Sequence, residues 1–138
     1  MTEFTLKTMA RNQFVEVTDR VREAVAASGV RSGLCVVYCP HTTAAITVNE
    51  NADPDVAHDM LLHLSRTVPK DQPGFRHGEG NSDSHVKASL VGPSVTLVVN
   101  DGEIVLGRWQ GVYFCEFDGP RTRAVVMHVV GHGTGQPA

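Results

Sequence analysis

Three observations predict an α+β fold for this sequence, a mixed and largely antiparallel curled sheet with about three helices. From Ser94 onward the pattern is strand throughout, broken by turn signals at Asn100-Asp101-Gly102 and Asp118-Gly119-Pro120-Arg121, so these strands are expected to follow one another as antiparallel neighbours. Helical periodicity is confined to short segments near 18–27, 54–66 and 84–91. Two strand segments, 34–38 and 109–117, carry apolar residues on both faces. Three helices cannot cover such a sheet completely, so either it curls toward a barrel or another subunit covers it.

The elements follow in order. Residues 3–10 and 13–17 read as two short strands joined at Arg11-Asn12 into a hairpin, because Phe4, Leu6, Phe14, Val15 and Val17 are strand formers beside turn residues. Thr18 or Asp19 caps a first helix that Gly29 ends as a left-handed residue. The run 34–38 places Leu34, Val36 and Tyr38 on one face and Cys35 and Val37 on the other, which marks a central strand covered on both sides. From 42 to 48 the side chains alternate again, and His41 and Asn49 belong to the more polar face. Asp53 before Pro54 is a helix start: the carboxylate accepts orphan amides of the first turn, and proline at the first helical position sacrifices no hydrogen bond. Val56, Met60, Leu61 and Leu64 form the core stripe of that helix, and His58, Asp59 and His63 fall off it. The polar, Pro- and Gly-rich segment 68–80 reads as a functional loop, a candidate lid. Residues 131–138 lack anchoring side chains and are expected to fray.

A length of 138 residues makes one domain, 1–138, large enough to build a core without disulfides or metal. The net charge of -3 and the lack of any Lys/Arg run argue against a nucleic-acid groove or a polybasic membrane patch. No charged-then-apolar leader begins the chain and no apolar run approaches the roughly 20 residues of a membrane span, so a soluble, cytoplasmic protein is expected. Cys35, Cys39 and Cys115 lack Cys-x-x-Cys spacing and read as reduced, buried small hydrophobes.

Two polar clusters interrupt this scaffold. Asn49, Glu50 and Asn51 separate a strand from the helix that Asp53 caps; they suit either a ligand beside a helix N-terminus or a plain turn. His77, Glu79, Asn81, Asp83 and His85 crowd a glycine-rich segment before the third helix, where close backbone approach and free amides favour a phosphate.

The run 41–56 together with His58-Asp59-Met60, the segment from Glu79-Gly80 through 84–90, and Gly107-Arg108-Trp109-Gln110-Gly111 with Glu116 resemble the signature blocks of the YjbQ-like family. The resemblance spans 3–130. It implies a small homotrimeric α+β protein, and it implies a secondary thiamine-phosphate synthase activity, with which some members are credited. Carried over residue by residue, it implies a site of His41, Asn49, Glu50, Asn51, Asp53, His85, Trp109, Gln110 and Glu116, with Cys115 and Asp118 left outside the set. His41, Glu50, His85 and Glu116 are the expected catalytic groups; Asn49, Asn51, Asp53, Glu79, Lys87, Trp109 and Gln110 are the expected ligand contacts. The implied reaction joins hydroxymethylpyrimidine diphosphate to a thiazole phosphate and releases diphosphate, whose charge needs a cation or helix N-termini as the bond breaks. Lys87 and Arg121 add charge, although neither cluster is basic. His41, His85 and Glu116 are the expected ligands of one divalent ion, zinc or magnesium, with His77 and Glu79 in reserve. A non-catalytic trimeric metabolite- or metal-binding protein and a metal-dependent phosphate-ester hydrolase are the rival readings.

Overall fold

The computed structural model describes residues 1–131, so the expectation for 132–138 lies outside the described residues. Eight strands and three helices are found there. The strands are β1 (Thr2–Lys7), β2 (Gln13–Glu16), β3 (Ser32–Tyr38), β4 (Ala44–Glu50), β5 (Ser94–Asn100), β6 (Glu103–Ile104), β7 (Gln110–Glu116) and β8 (Thr122–Gly131); the helices are α1 (Thr18–Ser28), α2 (Pro54–Thr67) and α3 (Ser82–Val91). They form one five-stranded sheet in the order β1-β8-β3-β5-β6 and one three-stranded sheet in the order β2-β7-β4, and every pair is antiparallel.

The expected N-terminal hairpin does not form. β1 pairs with β8 and β2 with β7, in different sheets. Long-range partners override the local turn because the intervening chain is pinned elsewhere: the Thr8 amide donates to the Arg121 carbonyl and the Gly119 amide to the Arg11 carbonyl. The expected succession of neighbours after Ser94 also holds only for β5 and β6. β7 crosses to the smaller sheet and β8 returns between β1 and β3.

Helix ends follow their chemistry in part. Asp53 caps α2 by accepting the Asp55 amide at 2.9 Å, with Pro54 at the first turn, and Gly29 closes α1 at φ 73. The residue before α1 is Val17, with no side-chain cap; Thr18 is instead buried, donating to Glu16 at 2.7 Å and accepting the Val112 amide at 2.9 Å. α3 starts at Ser82, two residues before the expected start.

The larger core lies between the two sheets and takes Val21 and Val25 from α1, Val37, Val99 and Met127 from the larger sheet, and Val112 and Phe114 from β7. A smaller core joins Tyr113, Cys115 and Phe117 to Ala45 and to Ala88 of α3, with Leu61 and Leu64 of α2 at its margin. β7 is therefore the strand covered on both faces. β3 is central in its sheet, as expected, but its Leu34, Val36 and Tyr38 face is open, against the expectation of double cover. Leu34 stands beside Val98 and Val130 in register, and all three are about half exposed. α2 has no fully buried residue. The three cysteines are free and buried, and burial pushes the Cys35 thiol up to about 11. No described helix is long and apolar enough to cross a membrane.

Candidate functional site

The second polar cluster meets the ends of three strands around an open cavity of about 430 Å³. The link between β3 and β4 brings His41 and Thr43, the segment before α3 brings His77, Glu79 and Asn81, α3 brings His85, the β7–β8 turn brings Asp118 and Arg121, and the start of β8 brings Arg123.

His41 is oriented by the backbone. Its Nε2 accepts the Ala124 amide at 2.9 Å, which requires a lone pair there and leaves the ring proton on Nδ1. Burial and the charge of Arg123 hold its pKa below the ordinary histidine value, so the ring is neutral at pH 7 and offers an N–H donor. His77 and His85 meet edge to face with centroids 5.4 Å apart, and His77 Nε2 lies 3.8 Å from Glu79 Oε2.

The two arginines are held by carboxylates. Arg123 is buried; its Nε donates to Glu116 Oε1 at 2.8 Å, and its Nη2 donates to Glu116 Oε2 and to Thr43 Oγ1 at 2.9 Å. Arg121 donates from Nε to the Asp118 carbonyl at 2.7 Å and from Nη2 to Asp118 Oδ2 at 2.9 Å. Among the described residues, Nη1 of neither arginine has a protein partner. Asn81 is buried, donating from Nδ2 to Asp118 Oδ2 at 2.8 Å while its Oδ1 has no partner.

Glu116, expected as a catalytic group and metal ligand, is buried behind this wall. Its Oε1 accepts from Thr8 at 2.7 Å and from Arg123, and its Oε2 accepts from Arg123 and from the Asp118 amide at 3.0 Å. Burial opposes its ionisation, but these donors outweigh that cost and hold its pKa below the usual carboxylate value. Among the described residues no three His, Cys, Asp or Glu side chains gather as a metal set, so His41, His85 and Glu116 do not fit the expected ion. Lys87 is likewise turned inward: its Nζ reaches Asp83 Oδ2 at 3.1 Å and Asn12 Oδ1 at 3.3 Å. Arg11 grips the same Asp83 through two bonds, of 2.9 and 3.0 Å. Sequence reading placed Arg11 in a turn and missed this role, although Asp83 and Lys87 carry the i, i+4 spacing of a helical ion pair.

The first polar cluster lies at the opposite end of β4, on the order of 20 Å from its start at the usual strand rise. Asn49 accepts the Glu50 amide at 2.7 Å, Asn51 donates to Glu16 at 2.9 Å, and the Glu50 carbonyl accepts from the Tyr113 hydroxyl at 3.1 Å. Gln110 accepts the Gly107 amide at 2.8 Å, and Trp109 is exposed with the Arg108 guanidinium 5.5 Å from its ring. The sequence-derived set therefore divides: His41, Glu79 and His85 share a cavity, whereas Asn49, Glu50, Asn51, Asp53, Trp109 and Gln110 do not reach it.

A family model described as UPF0047 protein YjbQ-like matches residues 2–132. UPF0047 protein MJ1081 of Methanocaldococcus jannaschii is 48% identical over 94% of this chain and 93% of its own length, and UPF0047 protein YugU of Bacillus subtilis is 47% identical over 91% and 96%. A crystal structure of a YjbQ/UPF0047-family protein from Clostridium acetobutylicum superposes with a TM-score of 0.92 at 50% identity, covering 94% of this chain and 100% of that one. The conserved hypothetical protein TT1486 of Thermus thermophilus gives 0.87 at 39% identity. The expected resemblance and the α+β class both hold, and the chain belongs to the UPF0047 YjbQ-like family.

Proposed function

We propose that this chain is a small-molecule enzyme acting on a phosphorylated metabolite at the His41 cavity, with chemistry of the thiamine-phosphate synthase kind. One observation carries the reading: Arg121 and Arg123, whose Nη1 groups have no protein partner among the described residues, line the same cavity as the neutral His41. Guanidinium edges make short, charge-assisted bonds to phosphate oxygens, and donors already in place stabilise charge as it develops on a leaving diphosphate. His85, His77 and Glu79 at the mouth supply groups for proton transfer. Each arginine is matched by a carboxylate, so attraction to the anion is modest and slow turnover is expected. No step is assigned to a metal ion, since the described residues offer no three-ligand set. The open apolar face across β3, β5 and β8 supports assembly of the chain as a homotrimer.

The test is formation of thiamine phosphate from hydroxymethylpyrimidine diphosphate and thiazole phosphate, run beside hydrolysis of simple phosphate esters. Slow synthesis is expected, falling about 100-fold or more in His85→Ala, the usual scale for a proton-transfer group. Absence of turnover, with no thermal stabilisation by diphosphate, defeats the proposal; stabilisation without turnover leaves a binding protein.

A further inference from the structure

We infer that Asp118 is a specificity residue: its free carboxylate oxygen accepts the acidic hydrogen of a phosphate, so the cavity takes oxyanions that bear such a hydrogen and rejects those that bear none. The inference rests on the cavity being a phosphate site and narrows the anion it admits. Among the described residues, the one side-chain polar atom that is both shut off from solvent and without a partner is Asn81 Oδ1. Other partnerless atoms on buried or half-buried residues are therefore open. Three of them belong to residues of the cavity wall: Arg123 Nη1, His41 Nδ1 and Asp118 Oδ1. The first two are donors, and the third is an acceptor.

Asp118 Oδ2 is engaged, accepting from Asn81 Nδ2 at 2.8 Å and from Arg121 Nη2 at 2.9 Å. Oδ1 shares its carbon with Oδ2, and the partnerless Nη1 of Arg121 shares its carbon with Nη2, so an open acceptor and an open donor flank one ion pair. The other carboxylate of the wall, Glu79, stands at the rim with its side chain 73% exposed. A bare carboxylate oxygen repels an anion, so its place among these donors suits only an anion that brings a hydrogen. The oxygens of one phosphate then meet unlike partners: those without hydrogen accept from the arginines, and the P–OH donates to Asp118 Oδ1. Sulfate, of similar size and shape, sets a bare oxygen against the carboxylate. A site built to hydrogen-bond a hydroxyl rejects the analogue lacking it far more strongly than an apolar pocket rejects a change in size.

The probes are four tetrahedral anions compared by calorimetry at one slightly alkaline pH and constant ionic strength. Inorganic phosphate and arsenate keep a hydrogen there; sulfate and selenate do not. The wild-type protein is expected to bind the first two about tenfold or more tighter than the second two, the scale of one hydrogen bond to a charged group. In Asp118→Asn, Asn81 and Arg121 still donate toward the Oδ2 position, so the new amide places its oxygen there and its NH2 group at the open position. A donor replaces the acceptor, and the preference is expected to vanish or reverse while sulfate binds as well as before or better. Urea unfolding of the unliganded variant establishes that it is folded; should it not fold, the four wild-type affinities decide alone. Equal binding of all four anions by the wild type overturns the inference alone, as does a preference for phosphate over sulfate that arsenate does not show over selenate. A preference that survives in Asp118→Asn overturns it as well, and so does loss of all anion binding there, which would make Asp118 only a support for Arg121. Failure of all four to bind the wild type removes the phosphate reading itself and the inference with it.

Discussion

Asp83 shows how a polar side chain near a cavity can be structural. It is fully buried between Arg11 and Lys87; burial opposes its charge, but the two cations more than compensate and bring its pKa down to about 2 from 3.8. The folded pKa lies below the unfolded one, so the associated stability is complete above pH 4 and is lost as pH falls toward 2. The shift corresponds to about 2 kcal/mol. Asp83→Asn is expected to cost about 3–5 kcal/mol at neutral pH, because it strands buried positive charge, and to flatten the acid limb of stability between pH 4 and 2. Urea unfolding across that range checks both, and an unchanged acid limb would count against the ionised triad. The Asp83–Lys87 spacing was legible in the sequence. The third member was not, since Arg11 lies 72 residues away and only the crossing of the chain between the sheets brings it there. Glu116 was misread for the same reason: its partner Arg123 belongs to the next strand, beyond a turn whose geometry sequence patterns do not specify.

Among the elements, β7 and β3 separate what periodicity can reveal from what it cannot. Both read as apolar on two faces, with cover expected on both sides of the 34–38 strand and from either a curled sheet or another subunit. β7 is covered on both, with Phe114 in one core and Cys115 in the other. β3 is covered on one only, because none of the described helices covers its Leu34 face. A one-dimensional pattern records that a face is apolar; it does not record what covers it. Strand and helix positions were therefore largely readable, while pairing across the two sheets was not. Phe114→Ala is expected to destabilise the chain by about 3–5 kcal/mol, the usual cost of emptying a core aromatic site. Val36→Ala, on the open face, is expected to cost the isolated chain less than about 0.5 kcal/mol. Chemical denaturation at low protein concentration checks the pair, and similar costs would contradict this layering.

At the scale of the molecule, Leu34, Val98 and Val130 form a stripe across three neighbouring strands, exposed at 48%, 55% and 53%. An apolar strip in the middle of a sheet, with edge strands on both sides, is a surface that a subunit can cover. If the proposed trimer uses it, charge placed there should act on association and hardly on folding. Leu34→Lys with Val98→Lys adds two cations that the isolated chain leaves in water at little cost, whereas an interface would have to bury them unpaired at several kcal/mol per ion. Light scattering at micromolar concentration should give three times the chain mass for the wild type and the single-chain mass for the double variant, with far-ultraviolet circular dichroism unchanged. A monomeric wild type defeats the trimer. A trimeric double variant keeps the assembly but moves its interface off this face, leaving the apolar margin of α2, where no residue is fully buried, as the next surface to charge.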